Sequence, residues 1–232
     1  MTPQALLGLA LLAIATQTMA ARPFVTDDAR LTTAGSCQFE SWVRVYPQSH
    51  EAWALPACNP TGNLEFTLGG GRAQQESTGR TTDYLFQVKT LVRPLEVDGW
   101  GWGLAAGSVR HPDISPGPNL LGNTYAYLPA SFSFAGDRVV VHSNVGWLRE
   151  RVTGRNNLTW GVGTEIVASE RLLLIAETFG DHRNRPYWQV GARFAIVPNR
   201  VQVDATAGRQ FSDVPGSRWI SIGLRLTPEK LF

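Results

Sequence analysis

Residues 218–226 read RWISIGLRL, in which Ile220, Ile222, Leu224 and Leu226 alternate with Ser221, Gly223 and Arg225. Successive side chains of a β-strand point to opposite faces, so this stretch has one apolar face and one polar or glycine face. The same period of two recurs upstream. Val201, Val203, Ala205 and Ala207 alternate with Gln202, Asp204, Thr206 and Gly208, and Trp188, Val190, Ala192, Phe194 and Ile196 alternate with Gln189, Gly191 and Arg193. Leu158, Trp160, Val162 and Ile166 stand against Thr159, Gly161, Gly163 and Glu165, as Tyr84, Phe86, Val88 and Val92 do against Gln87, Lys89 and Arg93. Extended over the chain, the pattern gives about twelve strands, roughly 36–46, 51–58, 63–72, 82–93, 100–110, 123–135, 138–149, 155–168, 171–180, 187–197, 201–211 and 218–227. No amphipathic helix competes with them.

Composition narrows the class. The 232 residues are 43% hydrophobic and include eight Trp and ten Phe, which excludes disorder. Beyond the N-terminus no uncharged apolar run reaches the ~18–20 residues of a spanning helix. A net charge of +2 offers no footprint for nucleic acid.

Two architectures fit the alternation. A soluble sandwich or lipocalin-like barrel buries its apolar face inward, whereas a membrane barrel turns it to lipid and lines its lumen with the polar face. The polar face here is rich in Gly, Ser, Thr, Gln and Asn, and the chain has only two lysines, Lys89 and Lys230. A water-washed exterior would carry more charge. Strand lengths agree with the second reading, since most exceed the ~5–6 residues of soluble strands and approach the ~9–11 of tilted membrane strands. Gly136-Asp137, Ser169-Glu170 and Pro198-Asn199 make tight turns, while Glu150–Gly154, Asp181–Pro186 and Ser212–Ser217 make longer polar loops. Tight turns at one end and long loops at the other mark outer-membrane barrels, and an even strand number leaves both termini in the periplasm. Trp42, Trp53, Trp100, Trp102, Trp147, Tyr187, Trp188 and Trp219 fall near strand ends, where they are expected to form interfacial girdles. The terminal Phe232 is in phase with Ile220 to Leu226, as in the C-terminal signature of outer-membrane proteins.

Export fits the same picture. Met1–Ala20 carries no charged side chain, and Ala5–Thr16 has the length of a signal-peptide apolar core, followed by Thr18 and Ala20 at the −3 and −1 positions of a cleavage site. The expected organisation is a signal peptide over 1–20, a periplasmic lead-in over 21–35 and a closed antiparallel transmembrane β-barrel over 36–232. In an oxidising compartment Cys37 and Cys58 are expected to form a disulfide. A hairpin turning at Pro47-Gln48 pairs residues whose numbers sum to 95, which sets the two thiols opposite each other.

The stretch Arg22–Arg44, RPFVTDDARLTTAGSCQFESWVR, resembles the start of a group of proteobacterial outer-membrane barrels, transporter-like proteins beside the phenol-degradation MetA-pathway family. The resemblance implies a channel or uptake barrel, with small aromatic or hydrophobic compounds among its solutes, and brings no catalytic motif.

The residues themselves offer little covalent chemistry. His142-Ser143-Asn144 invites comparison with lipid hydrolases, but adjacent strand residues face opposite ways, so His142 would need a Ser or carboxylate from a neighbouring strand. His50, His111 and His182 fall in predicted extracellular loops without ligand spacing, and Asp27-Asp28, which could bind a cation, reads rather as a polar lead-in that stays in the periplasm or caps the barrel base. Gly99–Gly103, Gly161–Gly163 and Gly69–Gly71 lie in strand patterns with no following helix, so they are not phosphate loops. No cofactor is expected.

The alternation assigns a lumen instead. Glu40, Arg44, Glu65, Lys89, Arg93, His142, Glu165, Arg193, Asp204 and Arg225 are expected to point inward, joined by Gln87, Asn144 and Gln202. Such charges either pair into a closed interior or line a narrow selective pore. Arg72, Arg80, Arg110, Arg149, Arg151, Arg155, Arg183, Arg185 and Arg209 gather where the long loops should be, and suit lipopolysaccharide phosphates or an anion funnel. The function these features point to is passive passage of small solutes across an outer membrane. The rival readings are an outer-membrane lipid-modifying enzyme and a non-conducting structural or adhesion barrel.

Overall fold

The computed structural model describes residues 24–75, 79–110, 122–212, 216–228 and 231. The expected signal peptide, His111 and Phe232 lie outside the described residues. Twelve strands run in chain order: β1 (Ser36–Tyr46), β2 (Ser49–Asn59), β3 (Glu65–Gln75), β4 (Gly79–Arg93), β5 (Trp100–Arg110) and β6 (Asn123–Phe134). They continue with β7 (Val139–Arg149), β8 (Asn156–Val167), β9 (Leu172–Asp181), β10 (Tyr187–Val197), β11 (Val201–Gln210) and β12 (Trp219–Leu226). Each pairs antiparallel with its chain neighbours, and β1 closes on β12 from Phe39↔Leu226 to Val45↔Ile220.

The faces are inverted relative to a soluble protein. Val43, Leu68, Tyr84, Ile220 and Ile222 are exposed on the outside. The inward Lys89, Glu165, Arg193 and Arg225 are no more than 3% exposed. Apolar side chains outside and charges inside define a transmembrane barrel, which has no edge and can satisfy every ladder hydrogen bond within lipid. The β1–β2 hairpin has the expected register, Cys37↔Cys58 included, and the two cysteines are joined as a disulfide.

The structure departs from the sequence reading in several places, among them a register shift between Ala195 and Val197 in the β10–β11 ladder. The β3–β4 hairpin extends further than expected, pairing out to Gln75↔Gly79. The ladder shifts register between Leu91 and Arg93, and this bulge reverses the parity of the last residue of β4. Arg93 therefore does not point into the lumen: its guanidinium lies 4.3 Å over the outward Trp100 ring, and its side chain is 41% exposed. The expected girdle also divides. Trp100, Trp102, Trp147 and Trp188 belong to the outward set, whereas Trp42, Trp53, Tyr187 and Trp219 share the inward phase of Arg44, Glu51, Gln189 and Ser221.

Candidate functional site

The candidate site is the lumen, and its two halves are built differently. The half nearer the termini is filled by the chain's own residues 24–34. They were expected as a periplasmic lead-in, but they enter the barrel as an extended strap, with Thr26, Asp28, Ala29 and Thr32 buried. Because a strap without secondary structure has unpaired amides, wall side chains must satisfy them. Glu177 accepts the Val25 and Thr26 N–H groups at 2.7 and 2.9 Å, Ser131 Oγ accepts that of Ala29 at 2.8 Å, and Glu65 accepts that of Thr32 at 2.7 Å. The Asn144 carboxamide, oriented to satisfy both, accepts from the Asp27 N–H at 2.7 Å and donates to the Asp27 carbonyl at 2.9 Å.

Charge is matched across the same interface. Lys89 Nζ lies 2.8 Å from Asp27 and 3.4 Å from Asp28, and Tyr127 donates to Asp27 at 2.6 Å. Arg30 bonds Glu165 at 3.0 Å and stands 3.6 Å from Asp28. Burial disfavours the Arg30 charge, but the carboxylates of Glu165 and Asp28 outweigh it and hold its pKa above the ordinary arginine value. Arg193 stands 3.6 Å from Glu165 and opposite Asp204 in the β10–β11 register, while Arg225 donates to Gln38 at 2.9 Å and lies 3.8 Å from Glu40. Two glycines make the room. A Cβ on Gly163 would lie 2.7 Å from the Phe24 ring, and one on Gly161 would overlap Thr26 Oγ1. Phe24 completes the docking against the inward Leu173 and Ile175.

His142 does have partners on neighbouring strands. Ser131 Oγ sits 2.8 Å from Nδ1 and Glu165 Oε2 sits 3.6 Å from Nε2. These are the residue types of a hydrolase triad, yet Ser131 and His142 have no solvent exposure, the Ala29 N–H occupies the hydroxyl, and the Phe24 ring lies edge-on to the imidazole at 5.5 Å. The constellation also faces the lumen, with the barrel wall between it and any lipid substrate. Geometry assigns it to holding the strap. Glu177, Ser131, Gln189 and the strap's Asp27, Asp28 and Arg30 were not among the expected lumen residues. The signal for them lay in β9, whose continuous apolar run LLLIA implies cover on both faces.

Among the described residues, the half farther from the termini holds few charges and many rings. Trp42 and Trp53 stack at 5.9 Å, and Phe179 and Tyr187 at 5.7 Å. Trp219 lies 5.9 Å from Tyr187 and 6.1 Å from Tyr46. Arg44 lies 5.3 Å over Trp219 and pairs with Glu51 at 3.4 Å. Tyr125 donates to Gln87 at 2.9 Å, and the Tyr127 hydroxyl, whose proton goes to Asp27, lies 3.1 Å from the same oxygen.

A twelve-strand barrel with an apolar exterior and a charged interior is a porin-like fold. The chain belongs to the family described as Uncharacterised conserved protein UCP029691, whose model matches residues 8–227. No curated protein matches the sequence. Among solved structures it is similar to the KdgM porin, with a TM-score of 0.63 at 8% identity over 83% of this chain and 99% of that one. It is similar to the same porin in complex with disordered oligogalacturonate, with a TM-score of 0.64 at 9% identity over 83% and 99%. For the NanC porin the TM-score is 0.61 at 8% identity, over 83% of this chain and 100% of that one. At such identities the likeness is one of fold.

Proposed function

We propose that the protein is an outer-membrane channel for passive uptake of small solutes, held closed at rest by its own N-terminal strap. The observation that carries this reading is the strap itself. An open pore is lined by hydrated side chains, whereas here Lys89, His142, Glu165, Arg193 and Arg225, spread round the wall, are all sealed. The porin likeness supports passage, and the resemblance of Arg22–Arg44 to transporter-like barrels falls on the strap and β1, the parts that open or close the path. That resemblance adds small aromatic compounds to the solutes worth testing, and the oligogalacturonate complex of a similar porin adds sugars.

Lipopolysaccharide is the proposed lipid partner. Arg72, Arg80, Arg110, Arg149 and Arg209 occupy outward positions at the extracellular ends of their strands. Outward guanidinium groups at that height suit headgroup phosphates and do not form a funnel into the lumen.

The test is single-channel recording in planar bilayers with the refolded mature protein and with a variant lacking residues 24–32. The intact protein is expected to insert with rare, brief openings and the variant with steady discrete steps. Insertion without steps from either form overturns the channel.

A further inference from the structure

The strap accounts for the lower lumen and leaves the aromatic arc above it without a role. The arc runs along one side of the wall from β9 through β12 and β1 to β3. Its ring contacts join side chains of that same side. The rings also lie along the wall: a Cβ on Gly71 would overlap the Trp53 ring, and one on Gly208 would overlap the Trp219 ring. The Trp53 ring has one face on the Gly71 backbone and stays part-buried, whereas Trp219 is buried with Arg44 over its ring. Trp42, Trp53, Tyr46, Phe179 and Tyr187 are only part-buried, so they keep surface to offer.

We infer that this arc is a binding site for neutral sugar rings, an inference that rests on the channel reading above. A pyranose has apolar C–H faces and a rim of hydroxyls that donate and accept. The arc has both counterparts, ring faces and the Arg44–Glu51 pair, in which guanidinium donates and carboxylate accepts. Charge decides against the alternatives. Glu51 neutralises Arg44, so among the described residues the arc has no surplus cation for an acidic solute. A wholly apolar solute would cover the ion pair without replacing its hydration.

The probe is maltotriose, titrated by calorimetry into the intact refolded barrel in micelles of a sugar-free detergent. Saturable binding is expected, weakened about tenfold by Trp53→Ala, which removes a stacking face, and unchanged by Trp100→Ala on the outer surface. Glu51→Gln leaves Arg44 positive and shifts preference towards trigalacturonate, a change that a merely structural role for the pair would not produce. The inference falls if maltotriose does not bind saturably, if binding is indifferent to Trp53→Ala, or if the wild type prefers trigalacturonate or phenol. Conductance without sugar binding strikes this inference alone. Sugar binding in a barrel that conducts in neither form strikes the channel reading alone.

Discussion

The two halves of the lumen obey one alternation and reach opposite solutions. In the half nearer the termini the wall carries Lys89, Glu65, Glu165, Glu177 and Arg193, which a closed interior can hold only if each is matched. The strap matches the first four, bringing Asp27 and Asp28 to Lys89, Arg30 to Glu165, and its bare amides to Glu177 and Glu65, while Arg193 faces Glu165 and Asp204 of the wall itself. In the other half no described segment enters, and the described wall is completed by rings on glycines and the Arg44–Glu51 pair. The difference teaches where movement can occur. A half that is filled by a tethered segment opens by releasing it, whereas a half built only from its own wall offers a fixed surface.

Breaking the charge match should have the largest effect. Lys89→Met leaves part-buried Asp27 without its cation and buried Asp28 with Arg30 alone, a loss of up to about 3–5 kcal/mol by the usual cost of breaking a buried pair. The strap should leave the lumen while the barrel, whose ladders do not involve that side chain, stays folded. Bilayer recordings should then resemble those of the strap deletion. A Lys89→Met barrel as quiet as the wild type would show that this pairing does not hold the closed state.

Much of the fold was legible because lipid imposes the period of two on almost every strand. The β1–β2 register and the Cys37–Cys58 pairing followed from the hairpin arithmetic. The strap was harder to see, because Phe24 to Thr32 has no period and its partners are scattered from Glu65 to Glu177. Phase, however, was there to be read at Trp42, Trp53, Tyr187 and Trp219, which share the parity of charged or polar neighbours. Their position near strand ends suggested girdles, yet nearness to an end does not say which face a ring takes. Arg93 is the reverse case. A bulge is a property of the pair of strands, so the sequence of β4 by itself kept the wrong parity.

A smaller break tests the strap by shape alone. Gly161→Val and Gly163→Val place side chains where Thr26 and Phe24 now lie, and valine suits the strand that receives it. Overpacking of this kind costs roughly 1–3 kcal/mol, enough to raise the open fraction without abolishing closure. Combined with Thr26→Cys, either substitution should speed labelling by a membrane-impermeant thiol reagent, and labelling no faster than in Thr26→Cys alone would put the strap elsewhere.

The smallest effect is expected at Arg93, and its smallness sharpens the contrast between wall and lumen. The side chain lies outside, over Trp100 and 3.3 Å from the exposed Glu96. A half-exposed pair of this kind contributes less than about 1 kcal/mol. In the strap-deleted barrel, Arg93→Gln should therefore leave ion selectivity unchanged, while Arg193→Gln and Arg225→Gln, which each remove an inward cation, should move it towards cations. Reversal potentials under a salt gradient read all three. A selectivity shift at Arg93 equal to that at Arg225 would return Arg93 to the lumen and remove the bulge as the reason for its place.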